Sequence, residues 1–368
     1  MPACAVVIVN WNGARHLPGC LAALAAQTYR DFAVWVVDNG STDESRPLLA
    51  RAAEGEWPVV SGQRSVAGGE PSAVSRQAAG AEWVPALRLL VNAGNVGFAA
   101  GNNQAFRAAL ADPTVRYLVP LNNDTVADPA WLGTLVATAQ ADPRLGSVAS
   151  TMLFASRPDR VASAGISVHR DGLALDVGVG WDAARLPARP QPVFGASAGA
   201  ALYRRALLAD IGLFAESFFS YLEDADLAWR ARLRGWRAVW APQARVLHAV
   251  SATGGQGSPF KNYHLARNRV WCIARNLPGP LLARDWPYIL RYDTLAVLYG
   301  LARHDPALIQ GRLAGLQALP QVLAQRRAIQ ARRTVPIAQI AHWLAPAPGL
   351  HAALAARRDV DALLAEAG

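Results

Sequence analysis

Cysteine is scarce in this 368-residue chain. Cys4, Cys20 and Cys272 lie too far apart for any metal-binding or redox spacing, and they read as buried thiols in a reducing cytosol. Long hydrophobic runs are missing as well. Mean hydropathy is +0.13, yet no uninterrupted apolar segment approaches the roughly 18–20 residues of a membrane span. The best, Thr294 to Ala302, is short and is flanked by Asp293 and Arg303. The N-terminus has no basic leader and enters the apolar run Ala5 to Val9 almost at once, which argues against a secretory signal. A G-x-G-x-x-G turn after that run is absent too. The residues there are Asn10-Trp11-Asn12-Gly13, which argues against a dinucleotide-binding Rossmann site and against the Gly-rich basic phosphate loop of a nucleotidyltransferase. Internal repeats are not found.

Charge is thin, at 17% of residues, and unevenly spread. Residues 1–255 hold 22 basic and 21 acidic side chains, and residues 256–368 hold 14 and 6. Almost all of the net +9 therefore lies in the C-terminal third. One reading is a solvated, Arg-rich helical surface; the other is a surface that meets anionic lipid or a polyanionic acceptor. Val322 to Arg333 poses the same choice, with Arg326, Arg327, Arg332 and Arg333 set around Leu323 and Ile329. Nucleic acid is not expected as a partner, because the basic residues lack interleaved aromatics on a recognisable nucleic-acid-binding fold.

What is present is a strand–helix alternation. Ala5 to Val9, Phe32 to Val37, Leu87 to Val91 and Tyr117 to Leu121 read as strands, the last of them buried. Helical spacing follows the first of them (Leu17, Leu21, Leu24), starts again near Glu44, and opens at Gly101. Such βαβα order implies a mainly parallel sheet with helices on its faces. Residues 54–86, rich in Gly, Ser, Gln and Pro, read as a flexible insertion. Further helices are expected at Pro129 to Ala141 and about Arg204 to Ile211, whereas 147–194 reads only as short strands and turns. Beyond about residue 256 the chain reads as helical and basic, without strands.

Chemistry gathers at the predicted strand ends. The run Tyr117 to Leu121 stops at Asn122-Asn123-Asp124, and a lone carboxylate there suits a metal ion that bridges protein and diphosphate. Asp38 ends its strand at the same edge and is either a contact to a base or ribose or a turn-forming Asp before Asn-Gly. Trp11 either stacks on a flat ring or simply packs. In Asn92 to Asn103, glycines such as Gly97 let backbone approach a ligand, and amides such as Asn95 and Asn103 can fix sugar hydroxyls. Glu223, Asp224 and Asp226 open an amphipathic stretch. They complement its dipole, or, for Asp224, supply a general base under apolar side chains. His248 ends a short apolar run after Pro242. It is either a structural residue or, beside Asp124, the imidazole of a Mg²⁺ or Mn²⁺ site completed by phosphate oxygens and water.

Taken in order, these blocks resemble the family 2 glycosyltransferases of GT-A fold, especially bacterial rhamnosyltransferase-like members. The matching text is Val7-Ile8-Val9-Asn10-Trp11-Asn12-Gly13, Val36 to Asp43, Asn95 to Asn103, Leu121 to Asp124, Gly199 to Arg205, Glu223-Asp224 and Ala241 to His248. The resemblance implies a GT-A domain over 1–255, with a basic helical region over 256–368. It implies that Val9, Asn10, Trp11 and Asp38 lie at the nucleotide, and that Asn122 and Asn123 stand where the family has the start of its Asp-x-Asp metal motif. Asp124 and His248 would then hold Mg²⁺ or Mn²⁺, Asp224 would be the base with Glu223 beside it, and Arg267 and Arg269 would lie near the donor diphosphate. Asn122 leaves this motif one carboxylate short of its fullest form. The implied activity is inverting transfer of a sugar, rhamnose first, from a dTDP- or UDP-sugar to a glycan or glycolipid hydroxyl. The implied location is the cytoplasm, at the inner face of the cell membrane. A non-catalytic sugar-nucleotide-binding or scaffold protein is the rival.

Overall fold

The computed structural model describes residues 2–58, 83–249 and 257–348. At its centre is a ten-stranded sheet. β1 (Cys4–Asn10) and β2 (Phe32–Asp38) are buried on both faces, which is why they read as continuous apolar runs with no alternation. With β3 (Leu87–Val91) and β4 (Tyr117–Pro120) they form a parallel set in the order β3-β2-β1-β4. Helices α1 (Leu17–Ala25), α2 (Ser45–Ala53) and α3 (Phe98–Leu110) lie between them in sequence. The last begins three residues before the expected Gly101, because Gly97 turns the chain at φ 89°. The chain leaves β1 toward β2 and β3 on one side and returns to β4 on the other. At such a reversal the crevice beyond the carboxyl ends of the strands lies open, and Asn10, Asp38 and Leu121 stand at that edge.

The second half of the sheet departs from expectation. β5 (Thr125–Ala127) and α4 (Trp131–Gln140) lead into β6 (Leu145–Phe154), ten residues long and buried throughout. A strand of that length was not legible, because Ser147, Ser150 and Thr151 interrupt its apolar pattern. Those hydroxyls are compatible with the core because they have partners. The indole N–H of Trp131 donates to Ser150 Oγ (2.8 Å), and that of Trp240 donates to Thr151 Oγ1 (2.8 Å). Next come β7 (Val161–Ser163), β8 (Ile166–His169), β9 (Ala174–Asp176), β10 (Gln191–Pro192) and β11 (Ala201–Arg204). Helices α5 (Arg205–Ile211) and α6 (Glu223–Leu233) then precede β12 (Arg237–His248), which runs parallel to β6. The short run expected before His248 is thus the end of a twelve-residue strand. Pro242 is tolerated within it because the register breaks between Trp240 and Arg245.

Beyond residue 256 the chain is helical, as expected: α7 (Pro259–Asn276), α8 (Gly279–Ala302), α9 (Pro306–Gln317), α10 (Leu319–Ala331) and α11 (Ile337–His342). One short strand, β13 (Leu344–Ala345), corrects the expectation of none, pairing with β8. These helices share a core with the preceding part, in which Phe194, Phe218 and Trp229 cluster with Trp271, Leu277 and Ile340. Residues 59–82 of the expected insertion, and the expected boundary at 255, lie outside the described residues. Trp83, at the insertion's end, packs edge-on against Phe32 with the Arg30 guanidinium 4.3 Å above its ring. No helix among the described residues is long and apolar enough to cross a membrane.

Candidate active site

The strand ends are tied together by buried amides and a carboxylate. Asp38 is fully buried and accepts from Asn10 Nδ2 (3.2 Å), the Ser41 N–H (3.1 Å) and Arg46 Nε (3.0 Å). Burial pushes its carboxyl up, but the bonds from Ser41, Arg46 and Asn10 prevail and hold it below the ordinary value. Asn10 in turn accepts from Asn123 Nδ2 (2.8 Å), linking β1 to the segment after β4. Gly13 is required beside this link, since a Cβ there would stand 2.1 Å from Asn123 Nδ2. Asn39 donates to Asn95 Oδ1 (3.3 Å) and the Gly97 carbonyl (3.1 Å), fixing the start of α3.

Asn122-Asn123-Asp124 emerges from this scaffold. The Asn122 N–H donates to the Gly199 carbonyl (2.8 Å), and Thr125 Oγ1 donates back to the Asn122 carbonyl (2.6 Å). β5 then pairs antiparallel with the end of β12, setting Thr125 opposite His248. That register brings His248 Nε2 to 3.2 Å from Asp124 Oδ1 and 3.3 Å from Asn122 Nδ2. Burial raises the Asp124 carboxyl, but His248 outweighs it and the group is held below the usual range. A carboxylate oxygen and an imidazole nitrogen this close fit the protein's share of a Mg²⁺ or Mn²⁺ shell, with other positions left to phosphate oxygens and water. Among the described residues no set of three or more metal-ligating side chains occurs.

Glu223 and Asp224 are presented by a strained turn. Phe219, Tyr221 and Leu222 all have positive φ (64°, 70° and 65°), unusual for such bulky side chains. The turn is held from α7. Asn268, fully buried, donates through Nδ2 to the carbonyls of Phe218 (2.9 Å), Ser220 (2.9 Å) and Tyr221 (2.7 Å). Arg267 donates to those of Ser217 (3.2 Å) and Phe218 (2.8 Å). Asp224 accepts from the Ala198 N–H at Oδ2 (3.0 Å) and from that of Ala225 at Oδ1 (2.7 Å). Burial lifts its carboxyl to about 6. Burial and the adjoining Asp224 raise Glu223 well above its usual value, and its Oε2 is buried with no hydrogen-bond partner among the described residues. Both carboxyls of the pair are thus raised, each chiefly by burial.

One cavity of about 860 Å³ gathers most of the expected residues. Val9, Trp11, Asn95, Gly97, Asn122 and Asn123 line it, as do Asp124, His248, Glu223 and Asp224. Trp11 is more than a third exposed there, so its ring has a free face. Five expected residues are not among its lining. Asn10 and Asp38 lie behind it as the scaffold just described. Asn103 is spent on Phe214, donating to its carbonyl (2.8 Å) and accepting from its N–H (3.1 Å). Arg267 grips the turn. Arg269 is buried and ion-paired with Asp293 (2.7 Å), which removes it from any exposed diphosphate site. Asp176 and Lys261, the chain's sole lysine, also line the cavity and carried no signal. Asp176 remains open to water within the concavity.

Residues 2–270 match the family model described as glycosyltransferase like family 2. An N-acetylglucosaminyl-diphospho-decaprenol L-rhamnosyltransferase of Mycobacterium tuberculosis is 27% identical over 271 residues, covering 68% of this chain and 77% of that protein. The O-antigen biosynthesis protein RfbC of Myxococcus xanthus is 29% identical over 232 residues, covering 54% of this chain and 17% of that one. Among solved structures, GalNAc-T7 with UDP, GalNAc and Mn²⁺ superposes with a TM-score of 0.57 at 15% identity, over 91% of this chain and 59% of that one. S. aureus TarS 1–349 in complex with UDP-GlcNAc gives 0.51 at 16%, over 90% and 88%. The expected GT-A architecture is thus the observed one, and the chain belongs to the family 2 glycosyltransferases.

Proposed function

We propose that this glycosyltransferase moves a sugar, rhamnose first, from a dTDP- or UDP-sugar to a hydroxyl of a glycan or glycolipid, with inversion at the anomeric carbon. The observation that carries this is the Glu223-Asp224 pair in the same cavity as Asp124 and His248. Asp224, half-buried and with its carboxyl lifted only to about 6, is a carboxylate at neutral pH and accepts the proton of the attacking hydroxyl. The Ala198 and Ala225 N–H groups fix its orientation. Glu223 beside it has its carboxyl raised by burial and by Asp224 itself, which disfavours a second charge next to the base. Trp11 offers its exposed face to the nucleotide base. Asn10 and Asp38 act from behind, by holding the loop that carries Trp11. Asp124 and His248 would hold Mg²⁺ or Mn²⁺, which when bound neutralises charge on the diphosphate leaving group. With one base and no enzyme nucleophile, a single in-line displacement follows.

The rhamnosyltransferase relative supports rhamnose as the first donor and a lipid-linked glycan as the acceptor class, and hence a cytoplasmic enzyme working at the inner membrane face. Asp224→Asn is expected to lose transfer while retaining donor binding, seen as an undiminished thermal shift with the nucleotide sugar and Mn²⁺. Wild-type transfer by that variant would overturn the base assignment. The thin metal set, one carboxylate and one imidazole, leaves a non-catalytic sugar-nucleotide binder as the second reading. Donor hydrolysis that depends on added Mn²⁺ separates the two.

A further inference from the structure

The segment Val322 to Arg333, singled out in the sequence for its arginines, is mostly committed to the protein. Arg326 donates to the Ala274 carbonyl (3.0 Å), Arg332 pairs with Asp210 (3.1 Å), and Arg333 donates to the Val335 carbonyl. Ile329 packs on the shared core. Leu323, Arg327 and Arg332 of the six are exposed, the last of them still paired with Asp210. A different helix presents what that segment lacks.

Of the 24 residues of α8, only Leu281, Asp285 and Gly300 are buried. Trp286, Leu290, Leu298 and Leu301 are each more than half exposed. With the exposed Thr294 they follow one another at steps of four, four, four and three residues, which is one face of an α-helix. The stripe spans about 22 Å at 1.5 Å per residue. Large apolar side chains lined up toward solvent are uncommon on a monomeric surface and mark a contact site. The sequence hides them, because α8 is apolar on its inner face as well.

Charge decides what the stripe contacts. Residues 257–348 hold 12 basic and 3 acidic side chains. All three carboxylates are engaged within the protein. Asp285 is fully buried against Arg170 (2.7 Å) and Arg284 (2.6 Å). Asp293 is shared by Arg269 (2.7 Å) and Arg312 (2.9 Å), and Asp305 caps α9 and accepts from Asn262 (2.6 Å). Arg284, Arg291, Arg303 and Arg327 are exposed, and the last three have no carboxylate partner among the described residues. A second copy brought stripe to stripe would set arginine against arginine. A bilayer bearing anionic headgroups supplies acyl chains for the leucines and phosphates for the guanidiniums.

We propose that the outer face of α8, centred on Trp286, Leu290, Leu298 and Leu301, docks the enzyme on an anionic lipid surface. The helix lies in the interface and does not cross it. This adds a partner to the reading above, and vesicles free of acceptor test it separately from donor and acceptor chemistry. Full-length protein is sedimented with sucrose-loaded vesicles of phosphatidylcholine, alone or with phosphatidylglycerol. Binding is expected only with phosphatidylglycerol, and the bound fraction should fall at least tenfold in Leu290→Asp/Leu298→Asp. Because both side chains are exposed, that variant should keep the wild-type melting temperature and donor-induced thermal shift. Failure of the wild type to pellet, or equal pelleting by the variant, overturns the proposal. A wild-type dimer that becomes monomeric in the variant, without lipid binding, assigns the stripe to self-association and overturns it equally.

Discussion

Asp224 can serve as base only while it is a carboxylate. Its pKa, lifted to about 6 by burial, puts the working form above that pH and the protonated form below it. kcat/KM is therefore expected to fall tenfold per pH unit below about 6 and to level off above, as pH-rate profiles at saturating Mn²⁺ would show. An acid limb near the free carboxyl value would count against Asp224. That Asp124, Asp224 and His248 would meet in one cavity was legible from their types and their strand-end or helix-start positions. Asp38 was legible only as a carboxylate at a strand end; the letters are the same whether it faces a ligand or an Arg46–Ser41–Asn10 cradle. Arg269 misled for the same reason, its partner Asp293 lying on another helix. Asp176 and Lys261 could not be found, since only folding brings β9 and α7 to one cavity.

Among elements, the turn before α6 depends on α7. Asn268→Ala would leave the half-buried carbonyls of Ser220 and Tyr221 without this donor, while that of Phe218 keeps Arg267, at a cost of about 1–3 kcal/mol for such unsatisfied groups. We expect a lower melting temperature and a kcat reduced at least tenfold, with KM for the donor nearly unchanged. Calorimetry and steady-state kinetics check both parts, and a full-rate variant would dissociate the turn from catalysis. β1, β2 and β4 were legible because burial on both faces writes an unbroken apolar run. β6 and the full length of β12 were not, since hydroxyls and a proline break their patterns and only the facing indoles and a register shift accommodate them.

Across the whole molecule, Asp226 joins the two parts of the fold. It is fully buried, bonded to Arg230 (2.9 Å) on its own helix and to Arg275 (3.0 Å) and Asn276 (2.8 Å) of α7. The sequence offered it as an acid favouring the dipole of α6. That account misses the larger role, because two of its partners, Arg275 and Asn276, lie about fifty residues away. Asp226→Ala would strand two buried guanidiniums and is expected to cost about 3–5 kcal/mol. Chemical denaturation of the two proteins measures it directly. Burial raises the Asp226 carboxyl, but Arg275 and Arg230 outweigh it and hold it below its unfolded value. Its contribution is thus complete at neutral pH and lost as pH falls through that lowered value.

The family match ends at residue 270, inside α7, yet Asp293 of α8 grips Arg269, whose neighbour Asn268 holds the turn before Asp224. The point where kinship stops is therefore no place to cut. A shortened enzyme ending there would keep every residue that lines the cavity and lose the brace that aims them.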